Sequence, residues 1–297
     1  MPLPPIPFPD APADQRTTAK VELRYEDVDQ DGLLKLESMP NAIAAVAWRG
    51  LLADHPLYTA GLGTGILPIL NRLVLQGGEG PLSIVPPVEA RGGFHLATAR
   101  KPDGSVDRLM LTLFAELWGE VGHTHGSGPQ GAGTRIQVGR ALAEHVFTRP
   151  FGPPAERKVM ALPEGAWPAV PEASHAWRSG EELGQIPDGA TALEAEPATE
   201  AHGTVFGLVH TDSNLHVNSL VYPRLFEEGA LRRLAALGRA PAGGSRQAEL
   251  AFRKPCFAGD EARMRLQAFE LGGAPGVAGT LLPPGGGRPY CYARLRY

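Results

Sequence analysis

The run from His210 to Arg233, HTDSNLHVNSLVYPRLFEEGALRR, places Asp212, Asn214, His216, Asn218 and Tyr222 on alternate or nearly alternate positions. A carboxylate, two amides, an imidazole and a phenol so closely spaced can orient water, take a proton and hold a carbonyl. An amphipathic segment follows at once and predicts a helix over 219–237. Backbone N–H groups at a helix start lack intrahelical partners and carry partial positive charge. A polar loop that feeds into a helix therefore suits the binding and polarising of a carbonyl group. The residue types also fit a structural use, with Asp212 and Asn214 in an Asx-turn and cap and His216 as a core residue.

The elements that would position this loop can be read from pattern. Residues 20–26 alternate as a strand. Residues 38–53 predict a helix that Ser38 caps and that tolerates Pro40 in its first turn; being apolar on most faces, it should be buried. Strands are expected at 70–76, 82–88, 93–99, 108–119, 134–138 and 144–149, with a glycine-rich loop at 122–133. Residues 150–200 are rich in Pro, Ala and Glu and weakly periodic, and read as a long linker with one short helix. A strand at 203–210, the helix at 219–237 and strands at 247–253, 261–269, 277–282 and 289–296 complete the chain.

That order of elements repeats. At an offset of 183 residues, DQDGLLKLESMPNAIAAVAWRGLLA lies on DSNLHVNSLVYPRLFEEGALRRLAA without a gap. Asp29 falls on Asp212, Pro40 on Pro223, Ala47 on Ala230, Arg49 on Arg232 and Leu51 on Leu234. Two prolines at one early-helix position, each after an equally spaced aspartate, point to internal duplication. The halves differ where chemistry would live: His216 faces Leu33, Asn218 faces Lys35 and Tyr222 faces Met39.

The run Asp212-x-Asn214-x-His216-Val217-Asn218-x-x-x-Tyr222 resembles the signature of hotdog thioesterases. It is nearest in pattern to the plant and bacterial acyl-carrier-protein thioesterases and is also similar to the 4-hydroxybenzoyl-CoA thioesterase-like group, with Leu215 in place of that group's Gly and Ser219 in place of the second Asn. The resemblance implies an α+β fold, a tandem (double) hotdog in which two antiparallel sheets each wrap a central helix. The divisions would be a proline-rich, flexible tail (1–18), a first repeat without the catalytic set (19–150), a linker (151–198) and a second repeat carrying the site (199–297). It further implies hydrolysis of an acyl-CoA or acyl-carrier-protein thioester by a water activated near Asp212, Asn214 and His216. Asp212 or His216 would take the proton from water; with Asp212 as the acceptor that orients the site, Asn214 and His216 would contact the reacting atoms, and helix-start amides would meet the oxyanion. Asn218, Glu227 and Cys256 are further catalytic candidates; Tyr222 and Ser219 are candidates for substrate binding. In the plant-type enzymes a later Tyr-Arg-Arg-Glu-Cys run contributes; here Phe252-Arg253-Lys254-Pro255-Cys256 keeps the cysteine and has Pro255 at the acidic position.

Other readings compete. Glu228 and Arg232 are spaced as a helix ion pair. Asp27-x-Asp29-x-Asp31-Gly32 resembles the start of a calcium-binding loop, but its twelfth position is Ser38, not Glu. Gly61-x-Gly63-x-Gly65 lacks the spacing of a dinucleotide site, and His123-x-His125 has no accompanying carboxylate or cysteine. No metal or cofactor is expected. No Gly-x-Ser-x-Gly elbow is present. A hotdog hydratase or dehydratase and a non-catalytic acyl-binding protein are the alternatives. Net charge is −4, which favours neither nucleic acid nor an anionic membrane as partner. No apolar run approaches the length of a membrane span. Cys256 and Cys291 are the only cysteines, in keeping with a reducing cytoplasm. A tandem satisfies its own pairing, so monomer and homodimer are both compatible. Gly (37) and Pro (29) are abundant, which predicts long irregular connections.

Overall fold

A computed structural model describes residues 5–57, 63–123, 128–163 and 169–297. Gly61 and His125, on which two of the sequence readings rest, lie outside the described residues.

The first half contains β1 (Arg16–Val21), β2 (Leu67–Gly77), β3 (Val88–Arg100), β4 (Val106–Glu120) and β5 (Arg135–Thr148). Its helix, α1 (Pro40–Ile43), continues in wider π-type turns over Ala44–Leu52. Three short pieces follow: β6 (Thr191–Ala192), β7 (Ala198–Thr199) and β8 (Thr204–Val205). The second half then has α2 (Val221–Ala236), β9 (Gln247–Phe252), β10 (Glu261–Leu271), β11 (Ala274–Leu282) and β12 (Cys291–Arg296).

All strands join one antiparallel sheet in the order β1-β3-β4-β5-β2-β9-β12-β11-β10, with β6, β7 and β8 on the outer side of β10. The two half-sheets have corresponding orders and meet edge to edge where β2 pairs with β9, Val74 opposite Glu249. Two open edges are thereby covered. Each half packs its own helix. Tyr222, Phe226, Ala230 and Leu234 form the buried stripe of α2, four residues apart as a helix face requires. Gly229 is where this helix comes nearest the sheet: a Cβ there would stand 2.8 Å from Met264 Cε. Met39, Ala42, Ile43, Val46 and Ala47 do the same for α1, while Arg49 and Gly50 are exposed, so that helix is buried on one face and not all round.

The junction also holds a buried charge pair. Arg72 of β2 is 2% exposed and donates through Nε to Glu249 Oε1 of β9 at 2.6 Å. Glu182, on a short 3-10 turn at Gly180–Gly184, stands 3.4 Å from the same guanidinium.

Several expectations need correction. The tail boundary at 18 falls inside β1, and two described residues before it are docked: Ile6 N–H donates to Gln76 Oε1 at 2.9 Å, and Arg140 lies over the Phe8 ring. Ser38 does not cap α1; its hydroxyl donates to Asp27 Oδ1 at 2.9 Å. Of the strand expected at 82–88, residues 82–87 make only an isolated bridge at Leu82, because Pro86 and Pro87 have no ladder donors, and Val88 opens β3. The strands expected at 134–138 and 144–149 are one continuous β5. Residues 203–210 pair only at Thr204–Val205 and then wind into a 3-10 turn at Leu208–His210. Described residues of the expected linker 151–198 pack on both halves. Thr98 N–H donates to Ala173 O at 2.7 Å, Arg108 stacks over Trp177, and β6 pairs with β10.

Candidate active site

The polar run forms a tight loop between the 3-10 turn and α2. Asp212 Oδ1 accepts the Asn214 N–H at 2.8 Å, an Asx-turn. Asp212 N–H donates to His216 O at 3.2 Å, and Leu215 N–H donates to Asp212 O at 2.9 Å. Thr211 and Val217 close the loop as an antiparallel bridge.

The first half repeats these bonds at the 183-residue offset and adds one, from Leu33 N–H to Asp29 Oδ1 at 2.9 Å. Asp31 N–H donates to Asp29 Oδ1 at 2.9 Å, Asp29 N–H to Leu33 O at 2.9 Å and Gly32 N–H to Asp29 O at 3.1 Å. Val28 and Leu34 form the closing bridge. The agreement extends upstream: Arg24 N–H donates to Asp27 Oδ2 as Gly207 N–H donates to His210 Nδ1. Both loops need one residue in the left-handed region. The first half uses Gly32 (φ +77°), and the second uses Leu215 (φ +64°), the only non-glycine with positive φ among the described residues. Leu215 is also 81% exposed, so it bears backbone strain without burying its side chain.

Two side chains distinguish the second loop. Asn218 donates from Nδ2 to Asp212 Oδ2 at 2.8 Å and accepts the Leu220 N–H on Oδ1 at 2.8 Å. It thereby ties the carboxylate to the start of α2. The Val221 N–H also goes to Asn218, at its carbonyl, 3.0 Å away. The Leu220 and Val221 amides are thus already used, which corrects the expectation that the leading helix-start amides wait for an oxyanion. His216 is half-buried, with Nδ1 3.2 Å from the Val217 carbonyl. A proton on Nδ1 satisfies that carbonyl and leaves the Nε2 lone pair without a partner among the described residues. The exposed Asn214 side-chain amide and the half-buried Ser219 hydroxyl have no hydrogen-bond partner among the described residues.

Tyr222 and Cys256 stand behind this loop. Tyr222 is 3% exposed and meets the Phe252 ring edge-on at 5.3 Å, so it packs in the core. Cys256 is fully buried, and burial pushes its thiol up to about 11. A thiol so high is protonated at neutral pH and is no nucleophile. The backbone carbonyl of Cys256 accepts the Val217 N–H at 2.8 Å. Sequence reasoning missed this contact, and also His210, whose carbonyl accepts the Asn218 N–H at 2.8 Å. The second was within reach, because the same offset sets His210 on Asp27, whose carbonyl accepts the Lys35 N–H.

Glu227 keeps different company. Its carboxylate accepts the Ser245 N–H at 3.0 Å and the Ser245 hydroxyl. Burial raises its pKa, and Glu37 of the first-half loop adds to the shift. One turn earlier, Arg224 pairs with Glu37 at 3.0 Å. This face of α2 therefore turns toward the first half. Glu228 stands 3.8 Å from Arg232, whose nearer partner is Glu200 at 2.9 Å. The calcium-like run is spent on local bonds: Asp27 is held by Arg24 and Ser38, and Asp29 by its own loop amides. Among the described residues no cluster of three or more His, Cys, Asp or Glu is arranged to hold a metal.

No family model matches the chain, and no curated protein matches its sequence. Solved structures do match. An acyl-ACP thioesterase from Bacteroides thetaiotaomicron superposes with TM-score 0.58 over 95% of this chain and 97% of that one, at 14% identity. The 12:0-ACP thioesterase from Umbellularia californica gives 0.53 over 95% and 96%, at 13% identity. With the strand order above, these likenesses establish the fold as a tandem hotdog.

Proposed function

We propose that the chain hydrolyses an acyl-CoA or acyl-carrier-protein thioester at the Asp212–His216 loop. One observation carries this reading. Asn218 pins Asp212, while the Asn214 amide and His216 Nε2, its immediate neighbours, keep free donor and acceptor groups. The duplicated loop has Lys35, Asp31 and Leu33 at these three positions and cannot do the same. The tandem hotdog is shared with proteins described as thioesterases of acyl-ACP, which supports the substrate class.

In this mechanism His216 Nε2 takes a proton from a water molecule as its oxygen attacks the thioester carbonyl carbon. The Asn214 side-chain N–H donates to the carbonyl oxygen as it becomes an oxyanion. Collapse of the tetrahedral intermediate breaks the C–S bond, and the departing thiolate recovers the proton from His216. Asp212 takes no proton. Both its oxygens already accept hydrogen bonds from the loop, and it holds Asn214 and Asn218 in place. The first half supplies wall and partner sheet. The buried thiols of Cys256 and Cys291 suit a reducing cytoplasm.

The test is a series of straight-chain thioesters, from butanoyl to palmitoyl, offered on CoA and on acyl carrier protein, with detection of free thiol. Thiol release supports the proposal. Hydration of an enoyl thioester without thiol release would replace it with a hydratase, and binding without turnover with an acyl-binding protein.

A further inference from the structure

We infer that Leu208, Val209 and Leu215 form an apolar docking surface, beside the Asp212–His216 loop, for the protein carrier of the acyl thioester. The identity of the carrier rests on the hydrolase reading above. The surface itself rests on a difference between the two halves. At the 183-residue offset Val205 falls on Glu22, Leu208 on Tyr25, Val209 on Glu26 and Leu215 on Gly32. Four aliphatic side chains in the second half thus stand where the first half has two carboxylates, a phenol and a glycine. All four face outward: Val205 is 63% exposed, Leu208 80%, Val209 90% and Leu215 81%.

Exposed aliphatic residues taken singly are ordinary. Here they gather on segments that the backbone ties together. Asn218 N–H donates to His210 O at 2.8 Å, Phe206 N–H to Asp260 O at 3.0 Å and Val217 N–H to Cys256 O at 2.8 Å. Phe257, next after Cys256, adds an exposed ring. Leu215 also holds the left-handed backbone that a glycine fills in the first half. Strain of this kind clusters at ligand contacts, and Leu215 lies between Asn214 and His216. Whatever brings a thioester to those two side chains passes over it. The charge of the surface then selects the carrier. Residues 203–219 and 255–262 contain no Lys or Arg, so the phosphates of coenzyme A find no cation on these segments. The carboxylates present are engaged locally. Asp212 holds Asn214 and Asn218, Asp260 accepts the Phe257 N–H at 2.9 Å, and Glu261 stands 3.5 Å from Arg263. An uncharged apolar patch fits a protein face that buries aliphatic side chains, with the acyl group on an arm that reaches the loop.

The test compares one acyl group, octanoyl, on acyl carrier protein and on coenzyme A. Wild type should show a KM for the carrier at least about tenfold below that for coenzyme A, the difference coming from buried aliphatic side chains. Added salt should leave the carrier KM unchanged, because the contact makes no ion pairs. Val209→Glu installs, at the most exposed position, the residue type the first half has there. It should raise the carrier KM about tenfold or more and leave kcat and the coenzyme A KM near wild type. Leu215→Gly should also raise the carrier KM, although its fold is the more stable one. A carrier KM unmoved by Val209→Glu, equal effects on the two substrates, or a carrier KM that climbs steeply with salt would overturn the docking surface. Fluorescence anisotropy of labelled octanoyl carrier on His216→Ala, with and without Val209→Glu, separates the two claims. Binding that depends on Val209, beside a wild type that releases no thiol, would keep the surface and remove the hydrolase reading. Thiol release with no preference for the carrier would remove the surface alone.

Discussion

The side-chain amide of Asn218 donates to Oδ2 of Asp212 at 2.8 Å, while Lys35, its counterpart in the first half, has no amide to offer Asp29. The Asp29 carboxylate is held on one oxygen, by the Asp31 and Leu33 N–H groups, whereas that of Asp212 is held on both, by the Asn214 N–H and the Asn218 side chain. Asn218→Leu should destabilise the protein by about 1–3 kcal/mol, because it strips a charge-assisted bond from Asp212 and the acceptor from Leu220 N–H. Thiol-release rates should fall at least about tenfold through lost positioning. Lys35→Asn should leave rates unchanged. Urea unfolding and steady-state kinetics on the two variants check this pair.

Leu215 and Gly32 make an internal control for backbone strain. Leu215→Gly should raise stability by about 1 kcal/mol, since it relieves a left-handed backbone and gives up no buried side chain. Gly32→Leu should cost about 2 kcal/mol or more, because its backbone is left-handed and a Cβ there would stand 2.7 Å from Pro81 Cβ. Thermal unfolding reads both signs.

The duplication and the candidate site were legible because their determinants are local. Pro40 and Pro223 mark the same helix turn, and Asp29 and Asp212 begin the same Asx-turn, so a fixed offset finds them. The bonds that the offset aligns are between residues no more than eight apart. What could not be read depends on distant partners. Nothing near Arg72 announces that Glu249 will meet it from a strand 177 positions later. Described residues of the weakly periodic segment 151–198 are held by Thr98, Arg108 and Arg72, all outside it. Val205 and Leu208 suggest one strand, but no neighbouring strand is available past Val205, and the chain turns there instead. Glu227 is near the polar run in sequence but faces the other half because of its place on the helix.

The halves should come apart when their charge pair is broken one-sidedly. Glu249→Ala leaves Arg72 buried beside only the more distant Glu182 and should cost about 3 kcal/mol. Arg72→Met combined with Glu249→Leu should recover most of the loss, because an apolar pair of similar volume needs no charge compensation. Equal losses in the single and double variants would contradict this. Denaturant melts of the three proteins decide it.

His145 should make the fold acid-sensitive. It is buried, meets Trp48 edge-on at 5.8 Å, and burial pushes its pKa down to about 4 from 6.5. The unfolded chain therefore binds a proton that the native state refuses. Stability is full above pH 6.5 and falls as pH drops from there toward 4. At pH 5 the loss from this group is about 2 kcal/mol. His145→Leu should flatten that part of the pH–stability curve. An unchanged slope between pH 6.5 and 5 in His145→Leu would show that other groups set it.

The account stands on the claim that one half of the duplicated chain holds a working hydrolytic loop. The most direct measurement is thiol release from acyl-CoA and acyl-carrier thioesters by wild type, Asp212→Asn, His216→Ala and the first-half control Asp29→Asn, with folding checked by circular dichroism. The account predicts turnover in wild type and in Asp29→Asn, and kcat lowered at least about 100-fold in Asp212→Asn and His216→Ala, all four proteins being folded. Full activity in both second-half variants, or loss of activity in the Asp29 variant alone, would contradict it.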